Sequence, residues 1–170
     1  MTSLKISSSQ LRLLEHLCNA IAVSGDEGEV RKIVLEQVTP LADDVRVDAL
    51  GNVLVRKRAS KRNPLKVLLA AHMDEVGFII SEVKNNGRLK FKPIGGFDRR
   101  VLLGKAVVVG KDRLPGVIGL KPVHLLREGE YDRVDRIELM FIDIGENNAK
   151  VNLGDFATFA TQFGYLGGQN

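Results

Sequence analysis

The run Lys66-Val67-Leu68-Leu69-Ala70-Ala71 constrains the fold most, because its apolar side chains do not alternate with polar ones. A strand with one face in water alternates, whereas a strand buried on both faces is continuously apolar. Strands of the second kind lie in sheets that helices cover on both sides. We therefore predict a buried strand over residues 66–71, in the first part of an α/β domain.

The residues before this strand predict two helices and a hairpin. Apolar residues between positions 10 and 39 recur at steps of three and four, which is the helical period. Ser24 and Glu27 have the spacing of a capping box at the start of the second helix, and Pro40 ends that helix. The period then becomes two, and residues 49–52 favour a hairpin turn.

Beyond Asp74 short apolar segments alternate with turns, and Asn85-Asn86-Gly87 is a strong hairpin signal. Six short strands at this spacing predict a small closed or partly closed β-domain. The segments are Val76–Val83, Leu89–Pro93, Lys105–Val109, Gly116–Leu120, Ile137–Ile144 and Asp155–Phe159.

Charge and cysteine content exclude several classes of protein. Lysine and arginine number 25 and aspartate and glutamate 21, and the net charge of +4 does not by itself indicate nucleic-acid binding. The single cysteine, Cys18, excludes an intrachain disulfide and a cysteine-rich zinc site, and fits a reducing compartment. The longest aliphatic run is far shorter than the roughly 20 residues of a membrane span, and the polar first ten residues predict no signal peptide.

His72 and Asp74 are the residues that best carry chemistry. They stand two apart at the end of the predicted strand, and in an extended chain such residues point to the same side. Ligands bind at that edge of open α/β sheets, and a metal-binding histidine needs its second ring nitrogen held by a carboxylate or carbonyl. A polar turn is the alternative interpretation, because one histidine falls short of the three or four ligands that zinc takes.

The remaining candidates are interpreted as structural. His16 lies inside the first helix as a surface or boundary residue, and His124 is interpreted as structural rather than as a ligand. Asp143 ends an apolar strand and is expected to satisfy a turn. The basic loop Arg56–Arg62 is interpreted as a solvated turn, with an anion-binding patch as the alternative. The sequence contains no phosphate-binding loop and no G-x-S-x-G nucleophile elbow.

The order of motifs resembles the amino-terminal portion of the glutamyl/deblocking aminopeptidases. That family includes the tetrahedral (TET) aminopeptidases and proteins once labelled cellulases or endoglucanases. The most specific match is Ala71-His72-Met73-Asp74-Glu75-Val76-Gly77-Phe78. The others are Ser24-Gly25-Asp26-Glu27, Asp48-Ala49-Leu50-Gly51-Asn52, Pro93-Ile94-Gly95-Gly96-Phe97, Gly116-Val117-Ile118-Gly119, Lys121-Pro122-Val123-His124 and Ile142-Asp143-Ile144-Gly145, with Val123 where the family usually has a second proline.

The resemblance implies the start of an α/β metallopeptidase catalytic domain with an inserted small β-barrel-like dimerisation domain. Residues 1–74 would belong to the catalytic domain, residues 75–160 to the dimerisation domain, and residues 161–170 would return to the catalytic domain. His72 matches a metal ligand, and Asp74 matches the catalytic aspartate that supports it.

The activity that the resemblance implies is hydrolysis of amino-terminal residues from peptide substrates. It implies a cytoplasmic aminopeptidase that uses two divalent metal ions, zinc or cobalt, and assembles as a homo-oligomer, either dimer or dodecamer. No membrane or nucleic-acid partner is implied.

The family's glutamate general base and its other metal ligands lie beyond the position that matches Asn170. We therefore expect the 170-residue chain alone to be inactive, and we expect further chain or a partner to cover residues 66–71. One alternative is a non-catalytic assembly module derived from this family. The other is a nucleic-acid-binding β-barrel, which the low aromatic content of 5 % disfavours.

Overall fold

The computed structural model describes residues 6–120, 136–145 and 150–167. The chain forms two compact units, which we describe separately. The first unit comprises residues 1–74 and 163–170, and the second unit comprises residues 75–162. Among the described residues, no helix has both the length and the apolar character needed to cross a membrane.

Two helices, α1 (Ser8–Asn19) and α2 (Gly28–Val38), begin the first unit as predicted. The prediction of a capping box at Ser24 and Glu27 is wrong, because Glu27 is itself the N-cap of α2 and its side chain makes no capping hydrogen bond. The Glu27 carboxylate instead accepts a hydrogen bond from the Gly25 amide at 2.6 Å and pairs with Arg31 at 3.1 Å. The chain does contain a capping box, at Ser7 in front of α1.

The predicted hairpin is confirmed as the antiparallel strands β1 (Asp44–Val47) and β2 (Val53–Arg56). Asp48 stabilises the turn of this hairpin, because the Asp48 Oδ1 atom accepts hydrogen bonds from the backbone amides of Leu50 at 3.0 Å and Asn52 at 2.9 Å. Glycine suits position 51, where φ is +87°. The basic residues that follow are exposed, as the solvated-turn interpretation predicts.

The buried strand predicted over residues 66–71 is wrong for this structure. No strand is assigned there, and Leu68 and Leu69 are 89 % and 92 % exposed. The strand is missing because no described strand pairs with this segment, so its backbone has no ladder and its side chains have no layer to pack against. The accompanying expectation, that further chain or a partner covers this segment, stays a prediction; in this structure its leucines are exposed.

A closed barrel of six antiparallel strands forms the second unit, in the order β3-β4-β7-β6-β5-β8. Pairing of β3 with β8 closes it, with Phe78 opposite Ala157. The six predicted segments each supply one strand, although Ile137–Leu139 is a 3-10 turn rather than part of a strand. The strands are β3 (Gly77–Val83), β4 (Arg88–Ile94), β5 (Ala106–Val109), β6 (Leu114–Gly119), β7 (Phe141–Asp143) and β8 (Phe156–Phe159).

Aromatic packing fills the interior of the barrel. The Phe78 ring is fully buried, and its centroid lies 4.8 Å from that of Phe91, 5.1 Å from Phe97 and 5.3 Å from Phe159. These separations are typical of favourable tilted and edge-to-face ring pairs. The helices and hairpin of the first unit, together with this barrel, confirm the predicted fold class.

Candidate functional site

His72 and Asp74 contact each other as the sequence predicts, although no strand carries them. The Nδ1 atom of His72 lies 3.2 Å from Oδ1 of Asp74 and 2.9 Å from the backbone oxygen of the same residue. The His72 side chain is 86 % exposed, whereas that of Asp74 is 41 % exposed. The imidazole is therefore held at one nitrogen and open to solvent over most of its surface.

Ser24 completes this group of side chains from 50 positions earlier in the chain. Its hydroxyl donates a short hydrogen bond to Oδ2 of Asp74. This bond, more than the nearby His72, holds the pKa of Asp74 below its usual range, because both favour the charged carboxylate. Sequence analysis missed this role of Ser24 by assigning it to a helix cap, although the Ser-Gly-X-Glu match had singled the residue out.

The contacts at Nδ1 decide what His72 can do chemically. A backbone carbonyl and an ionised carboxylate are hydrogen-bond acceptors only, so both favour a proton on Nδ1. The lone pair then lies on Nε2, where a neutral imidazole can bind a metal ion.

This arrangement fits one histidine ligand with a supporting carboxylate. The described part of the chain holds no group of three or more His, Cys, Asp or Glu side chains placed to bind a metal together. The described residues therefore offer one candidate ligand, His72, and no complete centre.

The other titratable candidates do not join this group. His16 is exposed on α1, in agreement with its interpretation as a surface residue. Asp143 satisfies a turn as predicted, because its Oδ1 accepts a hydrogen bond from the Gly145 amide at 2.9 Å. His124, interpreted as structural, lies outside the described residues.

Glu75 follows Asp74 directly and is held in a different way. Its Oε1 accepts a hydrogen bond of 2.9 Å from the hydroxyl of Thr158, which is 3 % exposed on β8. A carboxylate bound to a buried hydroxyl anchors the first residue of the second unit to the barrel. The structure thus gives neighbouring carboxylates at 74 and 75 separate partners.

A basic pocket of about 210 Å³ lies on the barrel near the β3–β4 hairpin. Each of its cations already has a partner, at 3.9 Å for Lys84 with Glu82 and for Arg88 with Asp143, and at 2.7 Å for Lys90 with the Glu138 carbonyl. The Arg88 guanidinium also stacks over the Phe141 ring at 4.5 Å. Three cations at one pocket do not by themselves indicate a nucleic-acid interface.

Comparison with known proteins gives a consistent result. A family model described as M42 glutamyl aminopeptidase matches residues 51–170. FrvX of Escherichia coli is 36 % identical over 166 residues, which cover 92 % of this chain and 46 % of FrvX.

Solved structures agree with this match. The TET aminopeptidase of a marine sediment archaeon (Thaumarchaeota) superposes with a TM-score of 0.87 at 35 % identity, over 94 % of this chain and 47 % of that one. The Pyrococcus horikoshii TET1 peptidase, described as assembling into a tetrahedron or a large octahedral shell, gives 0.75 at 33 % identity, over 91 % and 47 %. The chain thus spans about half the length of the relatives that it matches.

Proposed function

The chain belongs to the M42 glutamyl aminopeptidase family, and on that basis we propose that it is the part of a metal-dependent aminopeptidase that supplies one metal ligand and the oligomerisation domain. His72 is the proposed ligand, and Asp74 is the aspartate that supports it. The two acceptors 2.9 and 3.2 Å from Nδ1 of His72 carry this proposal, because they leave Nε2 for the metal.

The complete active site would hold two divalent ions, zinc or cobalt. When bound, such ions polarise a peptide carbonyl and lower the pKa of water, which is the chemistry that peptide hydrolysis needs. The part played by this chain is to hold the His72 ring and keep its Nδ1 occupied. The substrates would be peptides that lose their amino-terminal residue, and the proposed location is the cytoplasm.

The proposed domains follow the division of the chain into two units. Residues 1–74 and 161–170 would belong to the catalytic domain, and residues 75–160 would form the dimerisation domain. The closed barrel supports the second assignment, because it is built from its own strands around its own core. Assembly of the similar TET1 peptidase into a tetrahedron or octahedral shell supports a homo-oligomer, dimer or dodecamer, for this protein.

The exposed leucines of residues 65–69 give the proposal independent support. A run of apolar side chains in water marks a surface that another polypeptide segment covers. We propose that the segment covering it belongs to the catalytic domain, in the same chain or in a partner.

Metal binding and peptidase activity test the proposal separately. We expect Co²⁺ added to the ¹⁵N-labelled chain to broaden the NMR signals of the His72 imidazole at the lowest concentrations. His72→Ala should abolish the Co²⁺-induced broadening of the backbone amides around residue 72, and His16→Ala, which removes another exposed histidine, should leave the broadening at His72 unchanged. Equal broadening at both histidines would contradict the assignment of His72.

The activity assay uses amino-acid p-nitroanilides with added Zn²⁺ or Co²⁺. We expect no hydrolysis by the 170-residue chain, because its described residues offer one candidate ligand with its supporting carboxylate, which cannot hold two ions. Hydrolysis that His72→Ala removes would show that this chain carries a complete site and would contradict the expectation.

A non-catalytic assembly module is the second candidate. The observation that favours it is the closed barrel, which needs no residue of the first unit for its pairing. It predicts self-association by analytical ultracentrifugation that His72→Ala does not change, together with no specific Co²⁺ effect at His72.

A further inference from the structure

We infer that Ser24 is a positioning residue that fixes the tautomer of His72 by holding the carboxylate of Asp74. The inference rests on the proposed function, since a fixed tautomer matters most when His72 binds a metal. It adds a residue distant in sequence to the pair that the motif contains.

The three side chains form a chain of contacts in which Ser24 and His72 both donate to the Asp74 carboxylate. The Ser24 hydroxyl donates to Oδ2 of Asp74, which leaves Oδ1 facing His72 Nδ1 at 3.2 Å. The backbone oxygen of Asp74 lies 2.9 Å from the same nitrogen. Both oxygens only accept, so the arrangement requires the proton on Nδ1 and places the lone pair on Nε2.

Ser24 is suited to hold the carboxylate because the turn around it is itself fixed. The residue before it, Val23, is fully buried, and the Val23 carbonyl accepts a hydrogen bond of 2.7 Å from the Asp26 amide. Gly25 has φ of +96°, which lets the chain turn immediately after the serine. The Asp74 side chain is 41 % exposed, and without the serine its carboxylate is free to rotate into water.

Loss of the serine hydroxyl would therefore leave the Asp74 backbone oxygen as the remaining fixed acceptor for Nδ1. One hydrogen bond of ordinary net strength corresponds to a population ratio of about three- to tenfold. We expect Ser24→Ala to lower the ratio of the Nδ1–H form to the Nε2–H form of His72 by this factor. Ser24→Thr keeps the hydroxyl and should restore the ratio.

Long-range ¹H–¹⁵N correlation spectra of the metal-free chain measure this ratio directly. The spectra are recorded at pH 8, and the two neutral tautomers give distinct nitrogen shifts. Val30→Ala is the matched control, because Val30 is a buried residue of α2 that is not among the side chains holding Asp74. The wild-type chain, Ser24→Thr and Val30→Ala should all show mainly the Nδ1–H form.

Three results would overturn the inference. They are a wild-type His72 that is mainly in the Nε2–H form, an unchanged ratio in Ser24→Ala, and an equal change in Val30→Ala, which would show a general structural effect. If Ser24→Ala does not fold, Ser24→Cys replaces it, since a thiol is a weaker donor and should lower the ratio in the same direction. No metal is present, so these spectra decide the role of Ser24 independently of the Co²⁺ titration that tests the proposed function.

Discussion

Replacing Leu68 and Leu69 with serine should leave the folded chain almost as stable as before. The two leucines are 89 % and 92 % exposed, so folding of the chain buries about a tenth of each side chain. Full burial of a leucine is worth about 1.5–3 kcal/mol, and a tenth of that for two residues is about 0.3–0.6 kcal/mol. The same two substitutions would cost about 3–6 kcal/mol in a state where another polypeptide covers the segment.

Amide hydrogen exchange followed by mass spectrometry separates these outcomes, because it reports on each unit through its own peptides. We expect protection of α2 and of the barrel strands to remain within about 0.6 kcal/mol of the wild-type values. Binding of anilinonaphthalene sulfonate, which detects exposed apolar surface, should fall in the double variant. Leu89→Ala is the buried control, and it should cost about 2–5 kcal/mol because that leucine is fully buried in the barrel.

A fall of 2 kcal/mol or more in the free energy of unfolding of the double serine variant would refute the reasoning. It would mean that both leucines are packed in solution, and the predicted strand would then exist without further chain or a partner. Unchanged dye binding would contradict the exposed surface in a second, independent way.

Two further predictions concern the second unit. Gly116→Ala should destabilise the barrel by about 1–3 kcal/mol in urea unfolding, because the added Cβ would lie 2.7 Å from the Ile142 Cγ2 atom. Gly96→Ala is the control and should be near neutral, because a Cβ there meets open space. Equal effects of the two substitutions would contradict the close approach at Gly116. The pKa of Asp98 is lowered to about 2, first by its hydrogen bonds with Arg100. The contribution of this carboxylate to the free energy of unfolding is therefore complete above its unfolded pKa of about 4, and it is lost as the pH falls from there toward 2. Asp98→Asn should flatten the decline of Tm in that window, and 1 M salt should reduce the difference because the pair is exposed; an identical decline in the variant would refute it.

Sequence patterns predicted the second unit well because its signals are local. The strands of the barrel are short and bounded by turn residues, and most alternate between core and solvent, as in β4, where Leu89 and Phe91 are buried. Asn85-Asn86-Gly87 fixes the first hairpin by the same local chemistry, with Gly87 at φ of +73°. The order in which the strands pair does not follow from such patterns and was not predicted.

The first unit was harder to predict because its decisive contacts are long-range. Ser24 has the spacing of a capping residue, and only its contact with Asp74, 50 positions away, shows where its hydroxyl is used. Residues 66–71 have the composition of a buried strand, but composition alone does not provide the neighbouring strand with which it must pair. The contact of His72 with Asp74 was predictable because those residues are two positions apart.

Closure of the barrel between β3 and β8 limits how copies of this protein can join. Each of the six described strands has a neighbour on both sides, so the part of the ring that the structure describes has no open edge to which a strand of another molecule could be added. Association through these strands would therefore use side chains on their outer wall, such as Val117, which is 48 % exposed on β6. Contacts of that kind depend on shape and on which residues stand there, so substitutions on the wall could change the size of the assembly while the ring itself stays intact.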